Sequence, residues 1–241
     1  MDKLFFSIIT VCYNSEKTIK RTFESLLKQQ FKNFEYIVID GNSQDNTVLI
    51  IKEYEKKFKL AGIEMKWVSE RDKGIYDAMN KGIKMAKGDI IGIINSDDIY
   101  LDNTLQIVDI IAKSNPDIDV YHGLCKFLSN GKITMIRGMS SSRLYKGMIE
   151  HPTCFVRKTA YNSIGTFNIK YKYVADYDLM LRMIKSNKRF YLIEEILAEF
   201  DENGSGNSKQ SRIELLKLQA KYKLSSPKKL LIKYLSIIAR N

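Results

Sequence analysis

The run DIIGIINS at 89–96 sets its apolar residues side by side instead of alternating them, so a strand built from it needs cover on both faces. The segments FFSIITVC (5–12) and FEYIVIDG (34–41) read the same way. Helical spacing follows these runs: Ile19, Phe23, Leu26 and Leu27 come after Ser15, and Val48 to Phe58 come after the capping loop SQDNT. After a further strand, EMKWVSE (64–70), Ile75, Met79 and Ile83 lie four apart and are expected on one buried helix face. Strands of this kind alternating with helices predict an α/β fold with a mostly parallel sheet flanked by helices. Past residue 118 the strands shorten to DVYHGLCKFL and KITMIRG. Helices are expected near 140–148 and 175–186, and a strand at RFYLIEEILAEF. The chain reads as one domain over 1–205, with a nucleotide half over 1–100, an acceptor half over 101–205 and a basic extension over 206–241.

Ligands of such sheets bind beyond the carboxyl ends of the strands. Here the loops at those ends hold Tyr13 and Asn14, then Asp40 to Asp45, then Glu70 to Asp72, then Asn95 to Asp98. The adjacent acids Asp97 and Asp98 follow an apolar strand with nothing basic beside them, which suits oxygen-loving Mg²⁺ or Mn²⁺ completed by substrate phosphates. Taken alone, the pair could equally cap the next helix. Asp40, with Gly41 beside it, can accept hydrogen bonds from a base or ribose, or can simply open an Asx turn. Asp72, in ERDKGIYD, can contact a nucleotide base or favour a helix N-terminus. Asp176, at the start of the helix around ADYDLMLR, sits where the dipole keeps a carboxylate ionised, as a general base requires; a plain capping role is the alternative. His151, before the strand CFVRK, is a candidate for positioning an acceptor hydroxyl, or is a structural histidine.

Together the segments SIITVCYN, IVIDGNSQDNT, ERDKGIYDAMNKGI, GDIIGIINSDD and VADYDLMLR resemble the family-two glycosyltransferases of the GT-A (Rossmann-like) fold, especially bacterial enzymes of surface polysaccharide biosynthesis. The resemblance implies an inverting, metal-dependent transfer of sugar from a nucleotide diphosphate donor, with UDP favoured, to a glycan or lipid-linked glycan hydroxyl. It also implies Thr10, Tyr13 and Asn14 in the first nucleotide loop, Asp40 and Asp72 at the uracil or ribose, Asp97 at the ribose or metal, Asp98 on Mn²⁺ or Mg²⁺, and Asp176 as base. Ala175 stands where the family has Glu, and no histidine follows His151 to complete a metal shell. Residues 202–208, ENGSGNS, are similar to the family's Gly-rich loop near the diphosphate.

Charge bears on partners. The chain carries a formal +11, from 39 Lys and Arg against 28 Asp and Glu, so an anionic partner is expected. Beyond Asn207 there are nine Lys or Arg and a single acid, Glu214. The stretch SPKKLLIKYLSIIAR fits an amphipathic helix on an anionic membrane surface, or a helix packed on the domain with its lysines in solvent. No run approaches the about 18 apolar residues of a membrane span. The N-terminus lacks signal-peptide organisation, and Cys12, Cys125 and Cys154 show no paired spacing. A cytoplasmic protein, at most peripheral on the inner face of the membrane, is expected. A nucleotidyltransferase would need a glycine-rich loop that VCYNSEKTIK lacks. A nucleic-acid-binding protein would stripe its charge along a folded face, whereas this excess gathers in the tail and the strand-end loops are acidic.

Overall fold

The computed structural model describes residues 5–202 and 208–238. Strands β1 (Phe6–Cys12) and β2 (Phe34–Asp40) are buried at every position, and the polar Ser7, Thr10, Glu35 and Asp40 within them are enclosed with hydrogen-bond partners. β1 pairs in parallel with β2 and with β4 (Ile90–Ile93), and β2 pairs in parallel with β3 (Met65–Ser69). All four carboxyl ends therefore emerge on one edge. Helices α1 (Ile19–Leu27) and α2 (Thr47–Leu60) cover one face, where Phe23 packs 5.7 Å from Tyr36 and 6.1 Å from Phe58 between ring centres. Helix α3 (Ile75–Met85) covers the other, against Ile9, Val11, Ile37 and Ile39. Its approach depends on Gly82, where a Cβ would fall 2.5 Å from the Ile9 side chain. Met79 and Ile83 are buried as expected, but Ile75 is 44% exposed because it begins α3 at the open edge of the sheet, where no layer covers it.

The second half comprises β5 (Ile99–Tyr100), α4 (Thr104–Ser114), β6 (Val120–Ser129), β7 (Lys132–Arg137), β8 (Phe155–Arg157), α5 (Lys158–Ile164), α6 (Ala175–Lys185) and β9 (Phe190–Asp201). The sheet order is β3-β2-β1-β4-β8-β6-β9-β5, with β7 paired to β6. β8 runs antiparallel to both β4 and β6 and so welds the parallel half to a mixed half. Leu179 and Met183 of α6 join the α3 face of the core. The helix expected near 140–148 is only a 3₁₀ turn, Ser141–Arg143, in which the Ser140 hydroxyl accepts the Ser142 amide proton. Serine side chains there compete for the backbone bonds a longer helix would need.

Two helices follow, α7 (Lys209–Lys221) and α8 (Pro227–Ile238). The packed alternative describes α7: Leu216 and Leu218 are buried, and the Glu214 carboxylate accepts the Lys172 and Tyr173 amide protons at 2.9 and 2.6 Å. Asp178 of α6 is fully enclosed and accepts bonds from Lys221, Arg182 and Tyr222, which outweigh its burial and hold its carboxyl below the usual range. In α8, by contrast, Leu231, Ile232, Tyr234 and Leu235 are exposed. The glycine-rich residues 203–207 lie outside the described residues. Among the described residues no helix is long and apolar enough to cross a membrane.

His122 of β6 is 1% exposed, and neither ring nitrogen has a hydrogen-bond partner in the fold. Burial lowers its pKa from 6.5 to about 4. The folded chain thus keeps it neutral while the unfolded chain protonates it, so this stability is present above pH 6.5 and is lost as pH falls toward 4. Urea unfolding across that interval is expected to show a loss of about 3 kcal/mol from this group. His122→Leu should flatten that part of the curve; an unchanged pH dependence would contradict the assignment.

Candidate active site at the carboxyl edge of the sheet

A cleft of about 560 Å³ opens where the strands end. It is lined by Cys12 and Tyr13 after β1, Asp72 after β3, the first turn of α3, Asn95 to Asp97 after β4, His151 and Pro152, and Asp176. Two hollows adjoin it. One of about 380 Å³ shares Ser15, Ser96 and Asp97 with the cleft; the other, of about 300 Å³, shares Gly74, Ile75, Tyr76, Lys172 and Tyr173.

The first three strand ends form one locked unit. Asn14, at φ 50°, donates its amide to Ser43 Oγ at 2.8 Å and accepts the Gln44 amide proton on Oδ1 at 2.8 Å. Tyr13 stands 62% exposed on the rim of the cleft. Asp40 is fully buried: its Oδ2 accepts from Ser43 N at 3.0 Å and Ser69 Oγ at 2.6 Å, and Oδ1 accepts from Ser43 Oγ. Asp40, expected at the base or ribose, here turns its carboxylate inward, ties three loops together and is not part of the cleft lining. Thr10 is likewise enclosed, accepting the Tyr36 hydroxyl proton at 2.8 Å, and does not line the cleft. Asp72 does line it, oriented by the Gly74 amide at 2.8 Å. A Cβ at Gly41 would lie 2.7 Å from Asp72 Oδ2, so only glycine permits that approach.

The neighbouring acids point opposite ways. Asp97 lines the cleft and the adjoining 380 Å³ hollow. Asp98, expected to hold metal, is fully buried behind it, its Oδ1 accepting the Asp201 amide proton and its Oδ2 the Asn95 amide proton, both at 3.3 Å. Burial raises both carboxyls, and negative neighbours add to it: Asp201 for Asp97, and Asp97 then Asp201 for Asp98. Among the described residues the buried Asn95 Oδ1 has no hydrogen-bond partner. Arg21, 3.9 Å from Asp201, offsets part of this negative charge, and the hard oxygens that remain fit Mg²⁺ or Mn²⁺. Among the described residues no three His, Cys, Asp or Glu side chains converge into a group that could hold a metal ion.

Across the cleft, Asp176 lies in the first turn of α6, its Oδ1 accepting from the Tyr76 hydroxyl at 3.0 Å and from the Tyr177 amide at 2.8 Å. His151 lines the same wall with its ring 6.1 Å from Phe167; burial lowers its pKa and the Asp176 charge opposes that shift. A neutral imidazole is the result. Ala175 is wholly buried in the core and contributes nothing to the cleft. Sequence reasoning did not single out Tyr76, Lys172 or Tyr173. Tyr76 had a signal in GIYDAMNKG, a hydroxyl set into an otherwise apolar helix face, but its partner is 100 residues away.

Comparison with known proteins identifies the family of the chain that carries this cleft. Residues 7–173 match the profile of glycosyl transferase family 2. The chain belongs to this family. It is 31% identical over 194 residues, 78% of this chain and 72% of the relative, to the Escherichia coli UDP-Glc:alpha-D-GlcNAc-diphosphoundecaprenol beta-1,3-glucosyltransferase WfgD. It is 29% identical over 237 residues to an uncharacterized glycosyltransferase of Methanocaldococcus jannaschii, covering 94% of this chain and 80% of that one. In fold it matches S. aureus TarS 1–349 in complex with UDP-GlcNAc, with a TM-score of 0.73, 22% identity and 97% and 72% coverage. A longer TarS structure is covered over 43% of its length. The mannosyltransferase PcManGT from Pyrobaculum calidifontis, in complex with GDP-Man and Mn²⁺, matches with a TM-score of 0.72, 15% identity and 98% and 70% coverage. This glycosyltransferase thus has the GT-A architecture that the family resemblance implied.

Proposed function

We propose that this glycosyltransferase moves a sugar from a UDP-sugar to a hydroxyl of a lipid-linked glycan, with inversion at the anomeric carbon. The carrying observation is that one cleft joins Asp72 and Asp97 on one side to Asp176 on the other. In this reading Tyr13 and Asp72 receive the base, supported by the exposed Tyr13 ring and by the Asp72 carboxylate in the cleft, which can accept the uracil imide proton. Asp97, with Asn95 beside it, would hold Mg²⁺ or Mn²⁺, which when bound neutralises charge on the departing diphosphate. Asp98 does not reach the ion in this reading; it supports Asn95 and the chain at Asp201. Asp176 takes the proton of the acceptor hydroxyl on its Oδ2 while Tyr76 and the Tyr177 amide fix Oδ1. The hydroxyl oxygen bonds to the anomeric carbon as the bond from that carbon to the diphosphate oxygen breaks. With one carboxylate facing the acceptor, a single displacement inverts the centre, so an α-linked donor gives a β-linked product.

Support for a lipid-linked acceptor comes from the relative that acts on a diphosphoundecaprenol-bound sugar and from α8. The exposed Leu231, Ile232, Tyr234 and Leu235 are interleaved with Lys228, Lys229 and Lys233, the composition of a helix lying on an anionic leaflet at the cytoplasmic face. Sedimentation with phosphatidylglycerol vesicles, and not with phosphatidylcholine vesicles, is expected; binding to neither would remove this part of the reading. The reaction is tested by incubating the enzyme with UDP-glucose, UDP-GlcNAc and GDP-mannose, each with a GlcNAc-diphosphate-lipid acceptor and with Mn²⁺ or chelator. The product's anomeric proton coupling then reports the linkage. Retained configuration, or turnover that ignores chelation, would contradict the proposal.

A further inference from the structure

The hollow of about 300 Å³ beside Asp176 has a chemistry of its own. Lys73 and Lys172 line it from opposite elements, both exposed and neither ion-paired with a described carboxylate. Nearby lysines differ: Lys81 lies 2.8 Å from Glu70 and 4.0 Å from Asp77, and Lys221 lies 3.0 Å from Asp178. Asp77 also lines the hollow, but its carboxylate accepts the Lys73 amide proton at 3.0 Å and faces Lys81, so its charge is already partly offset. The first-turn amides of α3, Ile75 and Tyr76, have no carbonyl within the helix to bond, and Gly74 offers no side-chain cap. The rest of the wall is apolar and aromatic: Ile75 and Ile169 are 44% and 43% exposed, beside Tyr171 and Tyr173.

We propose that this hollow is the seat of the acceptor's diphosphate, with Lys73 and Lys172 as its cationic ligands and the isoleucines and tyrosines against the adjoining hydrocarbon. The inference rests on the transferase reading and deepens it by assigning residues to the diphosphate of its lipid-linked acceptor. Two unpaired ammonium groups over an apolar floor match that amphiphile. The hollow shares Tyr76, Lys172 and Tyr173 with the cleft, so a sugar attached to a diphosphate held there extends toward Asp176. Its far wall is pre-set by α7, through the Glu214 bonds to the Lys172 and Tyr173 amides and the 3.1 Å bond from Lys221 to the Tyr171 hydroxyl. The donor diphosphate needs a metal at Asp97, whereas this seat uses fixed cations and works without one.

That difference makes the test. Calorimetric titration in chelating buffer with farnesyl diphosphate, farnesol and inorganic pyrophosphate is expected to show farnesyl diphosphate binding, pyrophosphate binding more weakly and farnesol not at all. The double variant Lys73→Gln, Lys172→Gln should weaken farnesyl diphosphate by about tenfold or more, and Lys73→Arg with Lys172→Arg should largely restore it. An affinity unchanged in the double glutamine variant, or a requirement for metal, would overturn the proposal. Pyrophosphate binding as tightly as farnesyl diphosphate would overturn the lipid assignment. UDP titrated with Mn²⁺ on the same preparation separates the two levels: normal UDP binding without farnesyl diphosphate binding removes only this subsite, while absent UDP binding removes the transferase reading itself.

Discussion

Asp176→Asn is expected to lower the rate of sugar transfer by about 10²–10⁴-fold while leaving UDP affinity unchanged. Asparagine keeps the size of the side chain and the acceptor oxygen that receives the Tyr76 hydroxyl and the Tyr177 amide, so the fold is preserved. What it removes is the capacity to take a proton from the acceptor hydroxyl. Tyr76→Phe is expected to cost far less, about fivefold, because it deletes one orienting hydrogen bond of about 1 kcal/mol and leaves the carboxylate in place. Steady-state rates beside UDP titrations check both variants. Full activity in Asp176→Asn would move the base elsewhere in the cleft, with His151 the first residue to test.

Asp97→Ala is expected to lose about 10²–10³-fold in turnover, equivalent to the several kcal/mol of charge stabilisation a bound ion supplies, together with the response to added Mn²⁺. Asp98→Asn is the contrasting variant. Asp98 is buried behind Asp97, with its Oδ2 facing the Asn95 amide nitrogen. Rotating the Asn95 amide would present its otherwise unpartnered Oδ1 to the amide nitrogen that the substitution introduces. This variant should therefore fold and keep its metal response within a few-fold. Loss of metal response in Asp98→Asn with retention in Asp97→Ala would restore the assignment that the motif alone suggested.

That reversal marks where the sequence stops being legible. Predominantly apolar runs located β1, β2 and β4, and the edge onto which they deliver polar residues, because a strand buried on both faces does not alternate apolar with polar. They did not show how each end residue is rotated. Asp97 lies in the turn after β4, closed by the bond from the Asp98 amide to the Asn95 carbonyl at 3.2 Å, and reaches the cleft while Asp98 enters the core; the strand residues Thr10 and Asp40 make interior bonds. The Tyr76 to Asp176 bond and the Lys73 and Lys172 pair join segments about a hundred residues apart, for which local spacing carries no signal. The helix missed near 140–148 failed for the opposite reason, since a serine bond two residues long overrode the wider pattern.

The most direct test of the account is calorimetric titration of the unmodified chain with UDP, once with Mn²⁺ and once with chelator. Saturable binding of UDP that depends on Mn²⁺ is the predicted result, since a cleft this acidic holds a diphosphate only through an ion. Binding that is equally tight in chelator, or no binding under either condition, would contradict the assignment of Asp97 and Asp72 to a nucleotide-sugar site.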